Sequence, residues 1–226
     1  FFDALEVGTF LSDAIRPHLL YFDLDMNSDV VTLWFDEPVR VSTLQFLSIT
    51  LLSNPSNAPI DSRVLVGGDI TAATNYNGTV TVSIHMSQAD VRYLKLSTKM
   101  ATSRLNSYIS ILQDTIQDMA GNGVVGIRQN LSLPVRYFTP DFTPVNLIAF
   151  SMDMNSGTLH LTFNDIINAS TLYPNTITIQ AARVLDPNYV TLTASSFTVS
   201  PNGYYIDINI SAADLKHLRS SLQALG

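Results

Sequence analysis

Phe22 to Phe35 reads FDLDMNSDVVTLWF, and Phe150 to Phe163 reads FSMDMNSGTLHLTF. The two stretches lie 128 positions apart (Phe22 to Phe150) and align without a gap. The match continues from Ser42-Thr43-Leu44 to Ser170-Thr171-Leu172, and from Ile49-Thr50-Leu51 to Ile177-Thr178-Ile179. A further block, Ser87-Gln88-Ala89-Asp90 against Ser211-Ala212-Ala213-Asp214, is offset by 124 (Ser87 to Ser211), so the second copy has the shorter middle loop. Three matched blocks in the same order mark an internal repeat. Ala4 to Asp13, ALEVGTFLSD, also aligns with Ser132 to Asp141, SLPVRYFTPD, at the offset of 128. The repeat predicts three parts: residues 1–13 as the last strand of a preceding copy, 14–138 as one complete copy, and 139–226 as an incomplete following copy. Pro140 and Pro144 fall at the junction, where proline's fixed φ stiffens a linker.

Working outward, each copy reads as many short strands. Val30 to Phe35 is a β-branched and aromatic run. Thr158 to Phe163 alternates Leu159, Leu161 and Phe163 with Thr158, His160 and Thr162, the period of a half-buried strand. Val80 to Ile84 and Tyr204 to Ile208 behave alike. Turn signals separate them at Met26–Asp29, Gly67-Gly68-Asp69, Asn77-Gly78, Asn122-Gly123 and Asn202-Gly203. Ser87-x-x-Asp90 and Ser211-x-x-Asp214 read as helix N-caps with an acidic residue at N3. Val91 with Leu94, and Leu215 with Leu218, then face inward at i, i+3 spacing. The expected fold class is all-β: tandem sandwich domains with one short helix per repeat.

Composition narrows the function classes. The chain has 226 residues, is 46% hydrophobic and only 14% charged, which places it far from disordered compositions. The net charge is −7 with 12 Lys and Arg and no basic cluster, so neither nucleic acid nor an anionic membrane surface is an expected partner. No apolar run approaches the ~20 residues that span a bilayer, so no membrane insertion is expected in this segment. No basic n-region opens the sequence, so no signal peptide is visible. Cysteine is absent, which removes disulfides, thiolate metal sites and cysteine nucleophiles together.

The order of motifs resembles a known family. FDEPVRVSTL (Phe35 to Leu44) is followed by Ser87-x-x-Asp90, a strand at Tyr108 to Ile111, and Asp118-Met119-Ala120-Gly121-Asn122. This resembles the bacterial Ig-like repeats of the S-layer type, with their F-x-E/D-P-V strand end and D-x-A-G-N turn. Similar tandem Ig-like repeats occur in very large extracellular proteins of algae and other aquatic eukaryotes, including the mastigoneme (flagellar hair) proteins. The resemblance covers nearly the whole chain. It implies Ig-like domains and an extracellular, elongated, non-catalytic role, and it identifies no ligand. The second copy departs at Phe163-Asn164-Asp165-Ile166, where Ile166 replaces Pro38 and leaves that strand end less constrained.

The sharpest candidate for chemistry is Asp23, Asp25, Asn27 and Asp29. Alternating oxygen ligands suit a hard cation such as Ca²⁺. An EF-hand reading fails, because position twelve falls on Trp34 and position six is not glycine. The second copy keeps Asp153 and Asn155 but has Ser151 and Gly157, so the shared residues are those a hairpin turn needs. The expectation is a turn and no resident cofactor; a calcium site at the junction between copies, using Asp13 or Asp141, is the remaining cation reading. Asp118 to Gly123 reads as a tight turn. Asp36 and Glu37 are expected to solvate a strand end. Four N-x-S/T sequons, at Asn77, Asn130, Asn168 and Asn209, are the glycosylation candidates of a secreted protein.

Catalytic constellations are missing from the sequence. His18, His85, His160 and His217 are scattered without metal-ligand spacing. There is no GxSxG elbow and no phosphate-cradling glycine loop. Trp34, the only tryptophan, is expected in a core or at a domain contact, with a carbohydrate-stacking platform as the functional counterpart. The leading expectation is a non-enzymatic module of an extracellular filament or surface layer. Its partners would be further repeats of the same chain, lateral protein contacts in a fibre, and glycans. The alternatives are a Ca²⁺-dependent adhesin, a carbohydrate-binding module, or an appendage of an enzyme elsewhere in a parent chain.

Overall fold

The structure, a computed structural model, describes residues 4–74, 80–180 and 189–222. It divides into two compact units, Phe1–Phe142 and Thr143–Gly226. Unit 1 runs β1 (Leu19–Asp25), β2 (Val30–Phe35), β3 (Val39–Arg40), β4 (Ile49–Leu52), β5 (Ser62–Val64), β6 (Gly68–Thr74), β7 (Val80–Met86), α1 (Gln88–Leu96), β8 (Tyr108–Ile111), β9 (Gln117–Asp118), β10 (Leu133–Pro134) and β11 (Phe138–Thr139). Unit 2 runs β12 (Leu147–Asp153), β13 (Thr158–Ile167), β14 (Thr178–Gln180), β15 (Tyr189–Thr191), β16 (Phe197–Thr198), β17 (Gly203–Asn209) and α2 (Ala212–Leu222). The protein is mostly β, with two α-helices among the described residues.

In unit 1 a five-stranded sheet, ordered β11-β1-β2-β7-β6, faces a four-stranded sheet, ordered β10-β8-β4-β5. Their inner residues fill one core. Phe22, Leu24, Val31, Leu33, Phe35, Val82 and Ile84 come from the first sheet, and Ile49, Leu51, Ile109 and Ile111 from the second. This is the two-layer solution for sheets that are apolar on one face. In β2 the alternation is plain: Val31, Leu33 and Phe35 are buried while Val30, Thr32 and Trp34 look outward and are half-buried. In β1 the alternation slips, because a register shift between Leu19 and Tyr21 lets Leu20 and Tyr21 both face outward before Phe22 returns to the core. One extra residue in one strand of a pair does this.

Unit 2 repeats the plan. β12 and β13 pair with the same register as β1 and β2, including the shift, here between Leu147 and Ala149. The pairing of Val30 with His85 recurs as Thr158 with Asn209. Its four-stranded sheet is ordered β12-β13-β17-β16, and β14 pairs with β15. Leu159, Leu161, Val190, Leu192, Ile206 and Ile208 form the core, with Leu218 of α2 buried and Leu215 packed against it. The substitution of Pro38 by Ile166 has a visible result. β2 stops at Phe35 and the chain resumes as β3, whereas β13 runs on to Ile167 and pairs there with Gly203. Proline lacks the N–H a ladder needs, so the strand ends in the first copy, whereas in the second it continues through an irregular stretch between Thr162 and Ile167.

Residues 4–18 carry no strand. Residues 4–13, expected as a strand, have counterparts at 132–141 that include two short strands, β10 paired with β8 and β11 paired in parallel with β1. A strand exists only against a hydrogen-bonding neighbour, and in unit 1 the edge of β1 is already taken by β11.

Candidate functional site

The outer face of the five-stranded sheet carries the first cluster. The bulge turns Tyr21 outward opposite Trp34 on β2, and Asp23 follows two residues later on the same face. The parallel strand beyond β1 is led in by Arg136 and Tyr137, whose carbonyl accepts from Leu24 N at 2.9 Å. Arg136 donates to both oxygens of Asp23, at 3.0 Å from Nε and 2.5 Å from Nη2, and Trp34 Nε1 donates to Asp23 Oδ2 at 2.8 Å. The guanidinium lies 4.4 Å from the Trp34 ring centroid, 4.8 Å from that of Tyr137 and 5.2 Å from that of Tyr21. The hydrogen bond to Asp23 is the chief reason the guanidinium holds its proton more firmly than usual. Trp34 is therefore not a core residue, as its strand neighbours are. One face of its ring is covered by Arg136, which tightens this sheet surface rather than leaving an open stacking platform.

The Asp-rich stretch does not converge. Asp23 belongs to Arg136 and Trp34. Asp25 Oδ1 accepts from the backbone of Asn27 at 2.8 Å and Ser28 at 3.1 Å, closing the turn. Asp153 does the same for Asn155 at 2.8 Å and Ser156 at 3.4 Å. Asn27 Oδ1 accepts from Phe142 N at 3.2 Å. Asp29 Oδ1 lies 3.7 Å from Lys95 Nζ, which also approaches Asp141 Oδ2 at 2.9 Å. Asp23 and Asp25 share a strand face, but Arg136 and Trp34 engage the first while the turn backbone engages the second. The stretch is an Asx-closed hairpin turn in both units.

A different carboxylate group does assemble. Asp13, Glu37 and Asp118 each offer an oxygen within 4.8 Å of the others. Asp118 is buried at the end of β9 and accepts from Asn122 N at 2.7 Å and Asn122 Nδ2 at 2.8 Å, while Asn122 Nδ2 also reaches the Asp13 carbonyl at 3.2 Å. This is the D-x-A-G-N turn, with Gly121 at φ 98°. Burial opposes the charge on Asp118, but the hydrogen bonds from Asn122, Gly121 and Ala120 outweigh it and hold its carboxyl below the usual range. Glu37 goes the other way: burial first, then the charges of Asp118, Asp13 and Asp36, push it up. Its Oε1 is buried without a hydrogen-bond partner. Sequence reading placed Asp36 and Glu37 together at a solvated strand end. In the structure Asp36 accepts from His18 N at 2.7 Å, and Glu37 alone turns inward.

Two buried carboxylates carry a role that the cap motif hides. Ser87 Oγ caps Asp90 N at 3.2 Å, as the motif predicts. The fully buried Asp90 side chain also accepts from Arg63 Nε at 2.7 Å, Val66 N at 3.0 Å and Ser87 Oγ at 2.7 Å. In unit 2 buried Asp214 accepts from Thr193 N at 3.0 Å, Thr193 Oγ1 at 2.9 Å and Ser196 Oγ at 2.7 Å. Burial raises the cost of its charge, but these hydrogen bonds prevail and lower its pKa. Each helix is thus tied to the loop after the middle strands.

Among the sequons, Asn130 and Asn168 are exposed, and Asn209 is half-buried at the end of β17. Asn168 Oδ1 accepts from the hydroxyl of its own sequon serine, Ser170, at 2.8 Å. Asn77 lies outside the described residues. His18 pairs with Asp36 at 3.0 Å and His160 with Asp207 at 2.6 Å, both on exposed surface. Among the described residues no nucleophilic hydroxyl is hydrogen-bonded to either ring.

No helix among the described residues is long and apolar enough to cross a membrane. No family model matches the chain, and no curated protein matches it. Among solved structures the chain is similar to the crystal structure of the S-layer protein rSbsC(31-844), with a TM-score of 0.31 and 9% sequence identity. That match covers 88% of this chain, which spans only 26% of the S-layer chain's length.

Proposed function

We propose that this chain is a non-catalytic structural module, a run of Ig-like β-sandwich repeats belonging to a long extracellular filament or surface layer, for example a flagellar hair or cell-surface fibre. The observation that carries this reading is what the two units share. Strand register, bulge, Asx-closed turn, capped helix and buried helix carboxylate recur. The surface cluster does not: Thr162 and Ser151 stand where unit 1 has Trp34 and Asp23. Repetition of framework without repetition of surface chemistry is the pattern of a quasi-one-dimensional array. Its partners are further repeats of the same chain, lateral contacts, and glycans on exposed sequons such as Asn130. Small-angle scattering should give one fixed, elongated particle; a profile of freely flexing units would overturn the reading.

A second reading, a calcium-dependent adhesive module, has one observation in its favour. Asp13, Glu37 and Asp118 present hard oxygens close together, and Glu37 Oε1 has no other hydrogen-bond partner. A cation there would raise the melting temperature of unit 1. Identical transitions in calcium and in chelator remove this version.

A further inference from the structure

We propose that the free edge of β6 in unit 1 pairs with the same edge of a second copy of this chain, antiparallel about a two-fold axis at Thr71, so that two five-stranded sheets continue as one.

Unit 1 has four sheet edges, and three of them are guarded. β11 and β10 are two residues long, β10 contains Pro134, and β5 has three residues. Short strands and proline deny an edge to other chains. β6 is the exception: seven residues, GDITAAT, with no proline and no lysine. Unit 2 holds a guarded version of the same edge. His85 and Asn209 occupy equivalent places, and their partners are Asp69 and Phe197. β16 then stops at Thr198. Where unit 1 pairs Thr71 with Ser83, unit 2 has the Ser200 hydroxyl accepting from Asp207 N at 2.8 Å, and Pro201 follows. Both segments lie well inside their repeats.

The phase of the ladder says which groups the edge presents. Ser87 N donates to Gly67 O at 3.1 Å, and Met86 N donates to Asp29 O at 3.0 Å. Bonds of an antiparallel strand alternate in direction, so Thr81, Ser83 and His85 bond β6 while Val82, Ile84 and Met86 bond β2. On β6, Asp69, Thr71 and Ala73 therefore turn their N–H and C=O to β7. Gly68, Ile70, Ala72 and Thr74 turn theirs outward. Among the described residues no strand lies beyond them.

The register of a self-pair follows. Only residues with outward groups can exchange bonds, and centring the pair on Thr71 uses the whole strand. Gly68 then faces Thr74, Ile70 faces Ala72, Asp69 faces Ala73, and Thr71 faces its own copy. The only charge, on Asp69, stands opposite an alanine and ~14 Å along the strands from the other Asp69, at about 3.4 Å per residue. Asp69 and Thr71 are exposed, and Ile70 packs against the core. An identical strand thus satisfies every outward group without opposing like charges. Because the same patch serves both copies, the contact is isologous and closes as a dimer. It is narrow and made by main chain, which places it among weak, transient interfaces. The inference does not rest on the extracellular reading: a flexing particle in scattering would overturn that reading and leave the dimer untouched.

Sedimentation equilibrium, from micromolar to millimolar chain, should show mass rising towards twice that of one chain and no further. Thr71→Lys and Thr71→Glu each oppose like charges at the axis and should raise the dimer dissociation constant about three- to tenfold, while the melting temperature of unit 1 holds. Mixing the two variants should restore association. Ala72→Pro removes an N–H that faces away from β7 and should act as Thr71→Lys does; the mixture of Thr71 variants decides even where the proline unfolds unit 1. The native chain has no cysteine. Thr71→Cys should therefore give a disulfide-linked dimer on a non-reducing gel. Asp69→Cys, also exposed, should not, because its copy lies beyond the ~7 Å that a disulfide can bridge. A chain that stays monomeric at every concentration overturns the proposal. So does association indifferent to Thr71→Lys, a mixture that recovers nothing, or equal cross-linking at the two cysteine positions.

Discussion

Asp29 and Gly157 hold the same place in the opening turns of the two units, and both have left-handed backbone, φ 60° and 70°. Glycine adopts that conformation without strain, and a short polar residue tolerates it. Gly157→Ala would bring a Cβ to 3.1 Å from Leu215 Cδ2 as well as straining the backbone. It should lower the stability of unit 2 by about 1–2 kcal/mol in a thermal melt, leaving unit 1 unchanged. Glu37 presents the opposite case, a side chain whose charge the fold resists. Its pKa is raised in the fold, so below the ordinary value of 4.5 it is protonated in both states and costs nothing. As pH rises through the raised value, the fold must accept the charge and loses stability. Glu37→Gln in chelator should therefore stabilise unit 1 at neutral pH by ~1 kcal/mol, the scale of neighbouring carboxylates in a partly wet site. The gain should vanish below about pH 4.5, the ordinary glutamate range. Little of this was legible in the sequence. The alternation of Asp23, Asp25, Asn27 and Asp29 was plain, and the turn at Asp25 followed from it. The partner that claims Asp23 stands at position 136 and leaves no local signal. The approach of Asp13, Glu37 and Asp118 is equally non-local.

At the scale of elements, periodicity and caps served well. The strand at Val30 to Phe35, both helix caps and the inward faces of α1 and α2 follow from local pattern. What pattern could not give is how each helix is fastened. The third residue after each cap serine does more than complement the helix dipole: its carboxylate collects donors from the loop after the middle strands, including a backbone N–H. Asp214→Ala should cost unit 2 about 2–4 kcal/mol, because buried hydroxyl and amide donors lose their acceptor. The pH dependence has a fixed sign. The folded pKa lies below the ordinary 3.8, so this stabilisation is complete above 3.8 and fades as pH falls through the lower folded value. Unit 2 of the Asp214→Ala variant should lack that part of the acid transition in a pH series of melts. The fate of Pro38 was also legible in kind. Its replacement by Ile166 lets β13 continue where β2 breaks.

For the whole molecule, the self-alignment carried most of the information. It predicted three parts, 1–13, 14–138 and 139–226, and the structure divides into the compact units Phe1–Phe142 and Thr143–Gly226. It did not reveal that 136–139 returns to lie beside 22–26 and seals the first sheet, since parallel pairing across more than a hundred residues has no local signature. Nor could it show that Trp34 would stand on the sheet's outer face. That placement has an optical consequence. The chain's only indole belongs to unit 1, under a guanidinium and bonded to a carboxylate, while unit 2 has tyrosine and phenylalanine but no tryptophan. Tryptophan emission therefore reports the melting of the first repeat and is silent on the second. Paired with circular dichroism, which sees both, it separates the cooperativity of neighbouring repeats without any label.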